Sequence, residues 1–184
     1  MRSAESLLLR LNPKTQSITV HVDGMRTMIS PSDVAAALSG LPSACLWIAK
    51  AITLSDPKAV DFLRLWLLSV AVRLSHDRGW GITYDQKQSL AAIVHKEIVQ
   101  GRCNTCKGRK LAPSPDTHRL DVCRDCDGLG YYKLTPEQKA EMFHVKRRMY
   151  FYKWRHKEAE IQTVYNVHEN QIHERLFEKF GAEY

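Results

Sequence analysis

Four cysteines carry the clearest chemistry in the chain: Cys103-x-x-Cys106, then sixteen residues, then Cys123-x-x-Cys126. Two residues between thiols let one tight turn aim both sulfurs at a single tetrahedral ion, and two such turns close the coordination shell. Gly108 and Gly128 each stand two positions after the second cysteine of their pair, where glycine permits the backbone a tight knuckle needs. Met1 to Leu11 has neither a long apolar stretch nor a small-residue cleavage site behind it, so an intracellular, reducing setting is expected and disulfides are disfavoured. The expectation is one structural zinc ion held by Cys103, Cys106, Cys123 and Cys126, with no coordination position left open for catalysis. The loop Lys107–Val122 has only Leu111, Leu120 and Val122 as large apolar residues; it cannot build a core alone and depends on the metal. Cys45, beside Trp47, reads as a buried thiol and not as a fifth ligand.

The elements that must position these thiols announce themselves by their start signals. Ser30-Pro31-Ser32-Asp33, Asp56-Pro57, Thr83-Tyr84-Asp85-Gln86 and Thr135-Pro136-Glu137-Gln138 combine N-caps, prolines at the first turn and capping boxes, and each predicts a helix. A shorter helix is expected over Pro42–Ile52. Val60, Leu63, Leu67, Val70, Ala71 and Leu74 form one apolar stripe, widened by Phe62, Leu65 and Trp66; Leu90, Ile93, Val94 and Ile98 form another, and both read as core. Ile18, Val20 and Val22 alternate with polar residues before Asp23-Gly24 and Met25–Ile29, the pattern of a small hairpin. At 184 residues and 44% hydrophobic content, one core or two small ones can be buried. The expected fold is mostly α: a helical bundle with an inserted four-cysteine zinc finger, a C-terminal helix-turn-helix and an N-terminal β-hairpin. Its expected parts are 1–29, a helical domain 30–101, the zinc finger 102–133 and C-terminal helices 134–184. No apolar run reaches 18 residues, so no membrane association is expected.

The formal charge of +7 is unevenly placed. From Arg102 to Lys157 there are 14 Lys or Arg against 6 Asp or Glu, whereas Glu158–Tyr184 has 2 basic and 6 acidic residues. A localised positive band attracts polyanions through release of phosphate counterions. Within it, Phe143–Lys157 holds Phe143, Tyr150, Phe151, Tyr152 and Trp154, the cations Lys146, Arg147, Arg148, Lys153, Arg155 and Lys157, and no acid. As one helix it would turn Val145, Met149 and Tyr152 inward and Lys146, Arg147 and Lys153 outward, a surface suited to phosphates, which position a duplex without reading it.

Further on, Ile161, Val164, a turn at Asn166, Val167, Ile172 and Leu176 have the spacing of a helix-turn-helix with Glu169–Phe180 as recognition helix. Its exposed positions would include His168, Asn170, Gln171, His173, Glu174 and Arg175, of which Asn or Gln can read adenine and Arg guanine. The alternative is an amphipathic hairpin that only packs, which the net negative tail favours.

On its knuckles the chain resembles the late-gene antitermination protein Q family of lambda-like phages. The resemblance covers roughly Ile93 to Glu178 and rests on Cys103-Asn-Thr-Cys106-Lys-Gly108 and Cys123-Arg-Asp-Cys126-Asp-Gly128-Leu-Gly130-Tyr131. The second half matches the family's Cys-x-x-Cys-x-Gly-x-Gly knuckle; in the first, Lys110 replaces the second glycine. The same knuckle occurs in DnaJ-type chaperones, but there in a longer array, and no His-Pro-Asp tripeptide is present. The resemblance implies a protein in the bacterial host cytoplasm that binds double-stranded DNA near a late promoter. It would engage paused bacterial RNA polymerase and travel with it to allow terminator readthrough. It also implies backbone contacts from Arg147, Arg148, Lys153 and Arg155, base contacts from Asn170, Gln171 and Arg175, and further contacts from Lys107, Arg109 and Lys110. A simpler zinc-dependent nucleic-acid-binding module, a repressor or an RNA binder, and a protein-interaction zinc module stay as alternatives. No enzyme and no small-molecule substrate are expected, since neither a nucleophile triad nor paired carboxylates nor a phosphate loop is present, and His95, His118 and His144 are scattered.

Overall fold

A computed structural model describes residues 18–22, 25–29, 31–54, 56–99, 103, 105–106, 111–113, 120–128, 130–131 and 133–180. Among them are two strand pairs and seven helices. In chain order they are β1 (Ile18–Val22), β2 (Met25–Ile29), α1 (Pro31–Leu38), α2 (Ser43–Leu54), α3 (Pro57–Asp77) and α4 (Tyr84–Val99), followed by β3 (Leu111–Pro113), β4 (Leu120–Val122), α5 (Pro136–Met142), α6 (Arg147–Lys153) and α7 (Arg155–Phe180). The expected hairpin is present, β1 pairing antiparallel with β2 from Ile18↔Ile29 to Val22↔Met25; Asp23 and Gly24 lie outside the described residues. No helix among the described residues is long and apolar enough to cross a membrane.

Local chemistry starts the helices where the sequence announces them. The Asp56 carboxylate accepts from the N–H groups of Lys58 (2.9 Å) and Ala59 (3.4 Å). Thr83 and Gln86 exchange bonds at the start of α4, and Thr135 and Gln138 form a full capping box on α5. Each device satisfies N–H groups that the first turn leaves without intrahelical partners.

The chain divides into two compact units, Met1–Leu63 with Tyr165–Tyr184, and Arg64–Val164. Of the 26 residues of α7, those up to Val164 belong to the second unit and those from Tyr165 to the first. In the first unit, Val34, Leu38, Ile48, Leu63, Tyr165, Ile172 and Leu176 are buried, and Trp47 stacks on Phe62 with ring centroids 5.2 Å apart. In the second, the core comprises Leu67, Val70 and Ala71 on α3, Leu90, Ile93, Val94 and Ile98 on α4, and Phe143, Tyr150, Trp154 and Ile161. Leu65, expected to help surround α3, is exposed instead.

Two sequence expectations about the C-terminal region are overturned. The turn at Asn166 does not form, because α7 runs unbroken from Arg155 to Phe180. This segment has no Gly or Pro, and an interior Asn costs well under 1 kcal/mol of helix propensity. The buried side chains Ile161, Tyr165, Ile172 and Leu176, spaced four, seven and four apart, make one straight stripe. The basic aromatic segment likewise is not one helix. His144 adopts a positive φ of 52°, which separates α5 from α6, and Trp154 interrupts the passage from α6 to α7. The new phase buries Phe143, Tyr150 and Trp154 and leaves Met149 and Tyr152, expected inside, exposed along with Phe151.

Candidate functional site

Cys103, Cys106, Cys123 and Cys126 are all buried, and their four sulfurs lie within 4.8 Å of one another. Cys103 Sγ is 3.8 Å from Cys123 Sγ, and Cys106 Sγ is 3.7 Å from Cys126 Sγ. A tetrahedral site with metal–sulfur bonds of about 2.3 Å has edges of about 3.8 Å, whereas a disulfide needs about 2.05 Å. No disulfide joins these thiols, and together they could hold a metal ion.

Backbone bonds shape the knuckles. Cys103 N–H donates to Gly130 O (2.8 Å), and Gly128 N–H to Cys123 O (3.1 Å). Gly130 N–H donates to Cys126 Sγ at 3.2 Å. The second knuckle turns through positive φ at Asp127 (48°), Gly128 (74°) and Gly130 (83°), as its glycines anticipate. Thr105 Oγ1 donates to the Asp125 carboxylate, tying one knuckle to the other. The β3–β4 pair bridges them with Leu111↔Val122 and Pro113↔Leu120 in register.

Burial pushes the Cys103 thiol up, but it is outweighed by the N–H groups of Cys106 and Thr105 and by the sulfurs of Cys106 and Cys123, which bring it down to about 7. Cys126 is pushed up to about 12, mainly by burial, with the three other sulfurs adding to the rise and the Gly130 N–H opposing it. Four thiols so placed ionise together only around a cation, whose charge offsets their mutual repulsion.

The chain leaving the second knuckle is pinned by a buried polar network that sequence reasoning missed. Glu97 Oε1 accepts from Leu134 N–H (2.8 Å) and pairs with Lys139 Nζ (2.8 Å). Lys139 also pairs with Glu158, whose other oxygen accepts from the Tyr150 hydroxyl. Gln162 donates to the Tyr131 hydroxyl. Burial, then the charge and hydrogen bond of Glu158, hold the Tyr150 hydroxyl far above its usual range. The readable signal was Glu97 itself, an acid beside Ile98 and one turn from Ile93 and Val94 within a buried stripe.

The cations expected at phosphates fall into three groups. Lys107, Arg109 and Lys110 lie outside the described residues. Lys146, Arg147, Arg148, Lys153 and Arg155 are exposed; Arg147 pairs with Glu137 at 2.8 Å, both side chains more than half exposed, an arrangement worth under about 1 kcal/mol that a phosphate can replace. Lys157 is 7% exposed, its Nζ donating to Lys153 O (3.0 Å) and lying over the rings of Trp80 and Trp154. Burial, and then the charge of Lys153, lower its pKa. Lys157→Met is therefore expected to leave polyanion affinity within about twofold of wild type and to cost little stability, since the packed stem is retained and a confined charge is removed. A loss of affinity as large as that from an exposed arginine, in the same titration, would show that Lys157 reaches the ligand.

Of the side chains expected to read bases, Asn170 is exposed, while the other two are engaged within their own unit. Gln171 Oε1 accepts from the Cys45 thiol at 3.7 Å. Arg175 donates to Ala37 O at 3.1 Å, satisfying a carbonyl at the end of α1, and pairs with Glu178. Cys45 is fully buried, as expected.

A comparison with protein-family models finds no match, and no curated protein is similar enough to count as a relative.

Proposed function

We propose that the chain is a zinc-dependent nucleic-acid-binding regulator of transcription, an antiterminator that acts on bacterial RNA polymerase in the bacterial cytoplasm, as its resemblance to the phage Q family implies. One observation carries this reading: a closed four-thiol cluster is followed, past the Leu134–Glu97 bond, by a stretch in which Lys146, Arg147, Arg148, Lys153 and Arg155 are exposed. Zinc is the ion of choice, because an all-thiolate tetrahedron suits it and leaves no position for substrate. The metal then acts on folding, and the cations act on phosphates. The unbroken α7 removes the support for a reading helix, so contact with the DNA backbone is proposed as the main source of affinity, with Asn170 as the base-edge candidate that stays exposed.

Metal analysis of the purified protein should return one zinc per chain. Duplex binding should weaken with salt, with a log–log slope on the order of −3 to −5 for four or five phosphate contacts. Arg147→Glu with Arg148→Glu should lower affinity for all duplexes by tenfold or more. On a template carrying its cognate promoter and a downstream terminator, the wild type should raise readthrough and this variant should not. Equal termination with and without the wild-type protein defeats the antiterminator reading, and salt-insensitive or absent duplex binding defeats the nucleic-acid reading as a whole.

A further inference from the structure

The exposed face of α6 has a composition that contact with a duplex leaves unexplained. Met149 is 53% exposed, Phe151 49% and Tyr152 71%. The Arg148 guanidinium lies 5.8 Å from the Tyr152 ring and that of Arg155 4.9 Å from the Phe151 ring, while Phe151 and Tyr152 meet edge to face at 5.6 Å. Cations alone serve for phosphates of a duplex, whose bases stay stacked away from the protein. Side chains this apolar and this exposed gain only from flat apolar surfaces.

Beside this face opens a cleft of about 470 Å³ whose lining includes Phe151, Arg155, Tyr150 and Glu158, a size that takes a nucleobase with its sugar. Its interior carries the carboxylates of Glu97 and Glu158, both buried and both paired with Lys139, which lines the cleft together with Lys133 and Arg155. A neutral base adds no charge to that balanced interior, and a paired carboxylate keeps lone pairs for its amino edge.

We infer that α6 and the adjoining cleft form a binding site for single-stranded nucleic acid, with bases stacked on Phe151 and Tyr152, one base directed into the cleft, and phosphates on Arg148 and Arg155. The inference rests on the nucleic-acid contact proposed above and deepens it. A single strand is favoured over an acidic protein surface because each of its repeating units presents a π-face and a phosphate together. That matches the alternation of aromatic and arginine side chains here.

The test uses the metal-loaded full chain and fluorescence anisotropy with labelled strands of about 12 nucleotides, within the span of one single-strand groove, as DNA, as RNA and as the corresponding DNA duplex. Phe151→Ala with Tyr152→Ala should weaken single-strand binding by on the order of a hundredfold, about tenfold for each ring, and leave the duplex within about twofold. Phe151→Tyr with Tyr152→Phe keeps both rings and should keep the affinity; a thermal melt of each variant guards against unfolding. Arg148→Gln with Arg155→Gln should flatten the single-strand salt slope by about 1.4, at about 0.7 per phosphate contact. Whichever of DNA and RNA binds more tightly identifies the source of the strand. The inference is overturned if the alanine pair binds single strands as the wild type does, if it loses duplex and single strand equally, or if it loses only capture of intact RNA polymerase. Failure of readthrough with aromatic-dependent single-strand binding intact would sink the antiterminator reading and leave this site standing.

Discussion

Removing the metal, by a strong chelator or by Cys123→Ser, is expected to unfold the segment from Gly101 to Tyr132 while α3 and α4 stay helical. Among its described residues, the buried cluster of this segment is the four cysteines with Ala112. The knuckle bonds Cys103–Gly130 and Gly130–Cys126 have nothing behind them once the sulfurs repel or disperse. Structural zinc supplies roughly 10–16 kcal/mol at neutral pH in small zinc modules, far beyond what two three-residue strands provide. The sign of the pH dependence follows from the protons. Binding requires thiols to deprotonate, including Cys126 at about 12 in the absence of the ion, so apparent affinity should fall as pH falls and metal should be released in acid. Amide chemical shifts before and after chelation are the measurement; an unchanged Gly101–Tyr132 region in a metal-free sample would overturn both the metal and its structural role.

Glu97→Ala should be the most damaging single substitution outside the cysteines, costing about 3 kcal/mol of unfolding free energy. It leaves the Leu134 N–H without its carboxylate acceptor and takes from Lys139 one of its two buried partners, and breaking a buried ion pair from one side costs about 3–5 kcal/mol. The lower end applies because Glu158 still answers Lys139. Glu97→Gln should cost less, since a side-chain amide can still accept from Leu134. The pH dependence separates these effects. Burial raises the Glu97 carboxyl above its ordinary 4.5, against the opposing bond and charge of Lys139 and with help from Glu158. The folded state therefore binds this proton more tightly than the unfolded chain does. Its contribution to stability is complete below about 4.5 and is withdrawn as pH rises through the folded value. Urea unfolding should accordingly show the glutamine variant gaining on wild type as pH rises above about 4.5. A cost under about 1 kcal/mol for the alanine variant would mean that the network is incidental.

The four-thiol cluster and the helix starts were legible because their causes are local. Two cysteines three positions apart share one turn, and Thr135 and Gln138 cap each other whatever surrounds them. The hairpin was legible for the same reason, since alternation with a two-residue gap sets its register. Helix phase was a different matter. Tyr152 and Tyr150 have nearly the same intrinsic preferences, and which one goes inside was decided by the break at His144 and the seat found by Trp154. The stretch around Asn166 is compatible with a turn or with a helix. The burial of Tyr165 and Ile172 on one side, each worth about 1.5–3 kcal/mol, outweighs a propensity difference of well under 1 kcal/mol.

What the sequence by itself determined is therefore the chemistry available: four soft ligands at metal-binding intervals, an excess of cations between Arg102 and Lys157, and the places where helices begin. Only the tertiary structure decided which of those cations face outward, that Lys157 and Arg175 serve the interior and a helix end, and that Glu97, Lys139, Glu158 and Tyr150 meet. The reason is range. Caps and knuckles act over three or four residues, but the burial of Glu97 and Lys139 depends on partners 19 to 42 positions away, which no local pattern encodes.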